Sequence, residues 1–232
     1  MATLARARRV EPEWLDELPA EDPRARRARR DLRLVNAIMG NARIVAGELA
    51  PALRAGARIA EIGAGEGDFL VALARSRRLR GRRIRATLVD RQPGETGAAR
   101  KALAALGWEA ARAQCDAIAW LEAQGEEYDA IVANLFLHHL EPTALARLLA
   151  LAARRTRLFV ACEPRRSAFA LAGASLLGAL GCNDVTRHDA VVSVRAGFRD
   201  REIAALWPPG AGWTIEERAR GPFSHAFVAR RP

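Results

Sequence analysis

Cysteine is scarce and badly placed for cross-linking. Cys115, Cys162 and Cys182 are odd in number and far apart, with no C-x-x-C pair and no histidine at ligand spacing. The pattern fits neither a disulfide framework nor a zinc site, so no metal is expected. Long apolar runs are missing too. Ser167 to Gly181 comes nearest, but its uninterrupted length is below the ~18 residues of a membrane span and three glycines weaken it. It reads as a helix buried against a sheet or lining an apolar pocket, and no membrane partner is expected. The stretch Met1 to Arg9 is basic without an apolar core, and Glu11, Glu13 and Asp16 follow it. It does not read as a secretory signal, and the expected location is cytoplasmic. Internal repeats and low-complexity linkers are absent as well.

Lysine is nearly missing: Lys101 is the only one among 37 basic residues, so the formal charge of +10 belongs to arginine. One-sided use of arginine is what genome-wide coding bias leaves behind, and it weakens charge as evidence for phosphate binding. The arginines at 24, 26, 27, 29, 30 and 33 form an ordinary solvated helix face or, alternatively, a face for RNA or DNA phosphates.

What the chain does have is material for one α/β core with a small appendage: 232 residues, 50% of them hydrophobic. After Met1 to Val10, read as a disordered basic tail, Trp14 to Pro19 forms a short helix ended by proline. Pro23 suits the first position of a helix running from Arg24 toward Val45, with Asn36, Gly40 and Asn41 breaking its apolar pattern, and a helical run continues from Arg43 to Leu53. Strand-like segments at 58–62, 83–90, 108–112, 130–135 and 156–162 then alternate with helices at 68–80, 97–106, 117–123 and 143–154. Cys182 to Arg199 has weak periodicity and mixed character, Asp200 to Leu206 is a short helix, and two closing strands lie at 213–218 and 224–230.

The most informative stretch is Arg58 to Phe69, a strand running into Gly63-Ala64-Gly65-Glu66-Gly67 and a helix opening at Asp68. Glycines at alternate positions let the backbone turn sharply and approach a ligand closely. A dinucleotide fingerprint would need its third glycine at Asp68; the pattern here is E-x-G-x-G-x-G, beginning at Glu61. It resembles motif I of the class I S-adenosylmethionine (SAM) dependent methyltransferases. The resemblance continues in order through Asp90 at the end of the second strand, Asp116 just past the third, and Asn134 to Leu140 after the fourth. The last segment is similar to that of bacterial small-molecule, natural-product-type enzymes.

The resemblance implies a Rossmann-like α/β fold: a seven-stranded, mostly parallel sheet with helices on both faces and an antiparallel last strand. It implies an N-terminal helical lid over residues 1–45 and a SAM-binding domain over 46–232, with a substrate-site insertion around 165–200. It also implies SAM as cofactor, S-adenosylhomocysteine (SAH) as product, and a cofactor site of Glu61, Gly63, Ala64, Gly65, Gly67, Asp90, Arg91, Cys115, Asp116, Ala117 and Asn134. In that family Asp90 takes the ribose hydroxyls and Asp116 the adenine amine. Read from the residues alone, Asp90 is equally a turn residue and Asp116 a helix N-cap.

Methyl transfer needs alignment more than a metal, and a base only for a hydroxyl or protonated amine. His188, beside Asp189, is the first candidate base and His138 the second. The alternatives stay open: His188 as a surface-loop residue, His138 packed near SAM, and His139 capping the next helix. Asn36, Asn41, His139 and Arg195 are the candidate substrate contacts, Arg195 for an acidic or carbonyl group. The expected activity is methyl transfer, to oxygen by preference, onto a small aromatic or hydroxylated metabolite of secondary metabolism, by a monomer or homodimer. An RNA or DNA methyltransferase and a SAM-binding subunit without catalysis are the alternatives.

Overall fold

The computed structural model describes residues 7–19, 21–92, 94, 96–210 and 212–232. Residues 1–6 of the expected tail lie outside the described residues. Beyond them the tail is anchored rather than disordered: Arg8 donates through Nε to Ala196 O at 2.7 Å and through Nη2 to His138 O at 3.0 Å. Helix α1 (Trp14–Glu17) follows, then α2 (Pro23–Met39) and α3 (Asn41–Leu49). Asp22 caps α2 by accepting the Arg24 amide at 2.7 Å, with Pro23 in the first turn. Gly40 at φ 69° ends α2 and turns the chain into α3.

The sheet is built from β1 (Ala57–Ile62), β2 (Ile84–Asp90), β3 (Trp108–Gln114), β4 (Ala130–Asn134), β5 (Leu158–Pro164), β6 (Thr214–Arg220) and β7 (Ser224–Arg230). Between its strands run α4 (Asp68–Arg75), α5 (Thr96–Ala105), α6 (Ala117–Ala123), α7 (Pro142–Arg155), α8 (Ala168–Ser175) and α9 (Asp184–Ala196). Strand order is β3-β2-β1-β4-β5-β7-β6, with β1 to β5 parallel and β7 inserted antiparallel to both its neighbours. Every residue of β4 and β5 is buried, as a strand covered by helices on both faces requires. Ile59, Leu70, Leu88, Val132 and Val160 fill the core on one face; Ile62, Val89, Ile131, Leu148 and Phe159 fill the other. The order of strands reverses between β1 and β4, and the carboxyl ends of both open on one crevice, the usual ligand position of an open α/β sheet.

The stretch from 165 to 200 departs from expectation. Cys182 to Arg199 is not a mixed loop; most of it is α9, capped by Asn183, whose Oδ1 accepts the Thr186 amide at 2.9 Å. Its helical period is hidden in the sequence because Thr186 and Asp189 sit on the buried face beside Val185 and Val192. Ser167 to Gly181 bends into a short 3-10 turn after α8, and it turns Ala174 and Leu177 inward while leaving Phe169, Leu176 and Leu180 exposed. The helix expected at 200–206 shrinks to a 3-10 turn at Ala204–Leu206. Among the described residues, no helix is long and apolar enough to cross a membrane.

Candidate active site

The glycine loop between β1 and α4 is braced from two strands. Gly63 and Ala64 donate to Val89 O at 2.9 and 3.1 Å, and Gly65 donates to Asp90 Oδ2 at 2.7 Å. Arg112, at the end of β3, donates to Gly65 O at 2.9 Å. All three glycines have positive φ, but they are glycine for different reasons. A Cβ on Gly63 would stand 2.3 Å from Phe136 Cδ2, and one on Gly67 2.5 Å from Leu88 Cδ2. A Cβ on Gly65 would meet nothing within 4 Å. Gly63 and Gly67 therefore answer to packing, and Gly65 leaves room over the crevice.

That crevice is a cavity of about 1070 Å³. It exceeds the roughly 300–1,000 Å³ of a pocket for one small molecule. Glu61, Gly63, Ala64, Gly65, Asp90, Arg91, Cys115, Asp116, Ala117 and Asn134 line it; Gly67 lies beneath. Glu61 is 1% exposed, and its Oε2 finds no hydrogen-bond partner among the described residues. Burial, with the nearby charges of Asp90 and Asp68, holds its carboxyl well above the usual range. Asp116 is an N-cap, its Oδ1 accepting the amides of Ile118 and Ala119 at 2.9 and 3.1 Å, and it faces the cavity as well.

Beyond Asn134 a buried amide relay ties the N-terminal helices to the sheet. Ser224 Oγ donates to Asn41 Oδ1 at 2.7 Å, Asn41 Nδ2 to Asn134 Oδ1 at 2.8 Å, and Asn134 Nδ2 to Asn36 Oδ1 at 2.8 Å. Leu135, at φ 53°, then turns the chain into a 3-10 turn carrying His138 and His139. His138 Nδ1 lies 2.8 Å from Glu163 Oε2 at the end of β5. Glu163 also accepts the amides of Phe136 and Leu137 at 3.1 and 2.9 Å, so it acts as acceptor and Nδ1 as donor. His138 Nε2 is left facing Glu13 Oε1 at 3.5 Å, an ion-pair distance too long for a good hydrogen bond. Burial pulls this imidazole down, yet the two carboxylates win and raise its pKa to about 9. Burial and the neighbouring His138 lower His139.

Residues 59–157 match the family described as "Methyltransferase domain". Over that stretch, less than half of its length, the chain is similar to a methyltransferase domain. SAM is the cofactor that the glycine-loop motif implies, and the cavity fits that molecule on its own terms. Glu61 offers an unpaired buried carboxyl for an ammonium, Asp90 holds a carboxylate at the end of β2 for hydroxyls, and Gly65 leaves the loop without a side chain in the way. No curated protein matches the chain in sequence. Solved structures do match in fold. An O-methyltransferase family protein from Burkholderia thailandensis is 20% identical, with a TM-score of 0.64 over 100% of this chain and 67% of its own. The pyocyanin biosynthetic protein PhzM is 22% identical, with a TM-score of 0.60 over 95% of this chain and 62% of its own. The plantazolicin methyltransferase BamL, solved with SAH and a triazolic desmethylPZN analog, is 12% identical, with a TM-score of 0.65 over 94% of this chain and 93% of its own. The chain thus spans about two thirds of the length of the first two.

The cavity does not take every expected residue. His188 does not line it; the ring stacks on Trp14 at 3.8 Å and 6°, with Nδ1 2.9 Å from Asp189 Oδ1. Adjacent residues do pair here, because Asp189 turns inward to accept the Trp14 and Leu15 amides at 2.8 and 3.0 Å. Arg195 is exposed outside the cavity wall, and Asn41 is fully buried behind it, so neither stands where a substrate contact was expected. Asn36, His138 and His139 do line the wall. Sequence reasoning missed Glu13, Glu163 and Phe223. Glu163 had a signal, a carboxylate at the carboxyl end of a parallel strand; Glu13 had none.

Proposed function

We propose that this protein is a class I SAM-dependent methyltransferase acting on the hydroxyl of a small, largely apolar, preferably aromatic metabolite, with His138 as its general base. The observation that carries this reading is the lining of the cavity. The wall that holds the glycine loop and His138 also includes Leu32, Val35, Met39, Leu177, Val194 and Phe223. Such walls favour an apolar guest with a few polar groups. SAM supplies a methyl group on a sulfonium that already carries a good leaving group.

The chain's own work is alignment and proton handling. Glu163 fixes the imidazole by accepting from Nδ1, which leaves Nε2 toward Glu13 in the cavity wall as the atom that takes a hydroxyl proton. The N-terminal segment, held by Arg8 and by Asp189, covers that atom and keeps water from it. Residues 1–45 serve as lid and 46–232 as the catalytic domain. The words "O-methyltransferase" and "pyocyanin biosynthetic", which belong to relatives in fold, support oxygen as acceptor and a natural product as substrate.

The test is methyl transfer from labelled SAM to a panel of neutral phenols, with SAH measured in parallel. Label in the phenols at low and high salt supports the reading. Label in RNA or DNA alone, or SAH binding without SAH production on any acceptor, sinks it.

A further inference from the structure

Glu13, His138 and His139 bring three ligand-type side chains together on one wall of the cavity, one donor atom from each lying within 4.8 Å of the others. We propose that this cluster is a binding site for a divalent transition-metal ion of the zinc class. Two imidazoles and one carboxylate are an ordinary donor set for such ions. The spacing agrees. Tetrahedral bonds of about 2.1 Å set neighbouring ligand atoms about 3.4 Å apart. His138 Nε2 and Glu13 Oε1 stand 3.5 Å apart, too far to bond each other well and right to share an ion.

His138 is 2% exposed, and its Nε2 has no hydrogen-bond partner among the described residues, so a buried donor atom points into the cluster unsatisfied. Behind it, Glu163 holds Nδ1 at 2.8 Å, the carboxylate–histidine backing that orients metal-bound imidazoles. Asp16 Oδ2 stands 3.8 Å from His139 Nδ1. The local charge suits a cation, with Glu13, Asp16 and Glu163 around two imidazoles. The guanidinium of Arg8 nearby is spent on the carbonyls of His138, Leu140 and Ala196.

Glu13 comes from the N-terminal segment and the histidines from the turn after β4, so an ion here bolts the segment down over the cavity. It also takes the lone pair of Nε2. Resting on the base role given to His138 above, this makes the ion an inhibitor of methyl transfer.

The experiment is titration of the chelator-treated full chain with Zn²⁺ by calorimetry and with Co²⁺ by visible absorption. Glu13→Ala and His139→Ala are the key variants, because both side chains are only partly buried and their loss leaves the His138–Glu163 pair in place. Cys115→Ser/Cys182→Ser controls for thiol binding. The expected result is one ion per chain with the Co²⁺ bands of a four-coordinate site, kept in the cysteine variant. Each ligand variant should weaken binding roughly 100-fold or more, since losing an outer partner alone costs about 10–100-fold. No binding, or binding unchanged in both ligand variants, overturns the site. If binding behaves as expected and Zn²⁺ leaves turnover untouched, the metal site stands and the base role of His138 falls.

Discussion

Asp90 braces the glycine loop, and in the proposed reading it holds the ligand as well. Its two oxygens accept the Gly65 and Gln92 amides at 2.7 and 2.8 Å, and each oxygen keeps a lone pair for hydroxyls. Asp90→Ala removes both functions, and hydrogen bonds to a charged group are worth about 1.5–3 kcal/mol each. SAH affinity measured by calorimetry should fall by roughly 10-fold or more. His138 carries the second prediction. Its pKa in the metal-free protein is raised to about 9, so the neutral base gains population as pH rises through that value. In chelator-treated enzyme, kcat/KM should climb with pH and level off above about 9. Glu13→Gln removes one of the two carboxylates that hold the proton, so the rising limb should move to lower pH. A profile unmoved by that change would mean that Glu13 does not face the base in the working enzyme.

At the scale of elements, the glycine loop separates packing from binding. Gly67→Ala puts a methyl 2.5 Å from Leu88 and 3.1 Å from Ala99, with φ 83° besides. A strained backbone position alone costs about 1–3 kcal/mol, and the Tm should drop accordingly. Gly65→Ala, at φ 50°, carries backbone strain but meets no neighbour, so its Tm should drop less than that of Gly67→Ala while SAH affinity falls. Helix α9 organises the other side. Asp189 pins the start of α1, and His188 stacks on Trp14. Asp189→Ala should therefore release the N-terminal segment, seen as faster limited proteolysis within residues 7–19. His188→Ala should leave turnover within about twofold if His138 is the base.

At the scale of the whole molecule, the cofactor and the fold stabilise each other. A ligand at 100 times its Kd adds about 2.7 kcal/mol to a protein that binds it only when folded. For a chain of this size that is a rise in Tm of roughly 5–10 °C with SAH, and Asp90→Ala should erase most of it at the same SAH concentration. The succession of strands and helices, the glycine loop, Asp90 and the Asp116 cap were legible in the sequence. They rest on local rules: period, turn chemistry, capping, and the short spacing of one motif between a strand and a helix. The helix α9 was not legible, because its buried face carries Thr186 and Asp189 and breaks the apolar period. The amide relay from Ser224 to Asn36 and the grouping of Glu13 with His138, His139 and Glu163 join residues up to 188 positions apart in chain order, as Arg8 does with Ala196. By itself, then, the sequence determined the run of strands and helices and the glycine loop, since each is written within a few residues, and the resemblance of that loop implied the sheet and the cofactor. Only the tertiary structure decided which histidine faces the cavity and what surrounds it, because that depends on where the N-terminal segment and the ends of β4 and β5 meet in space.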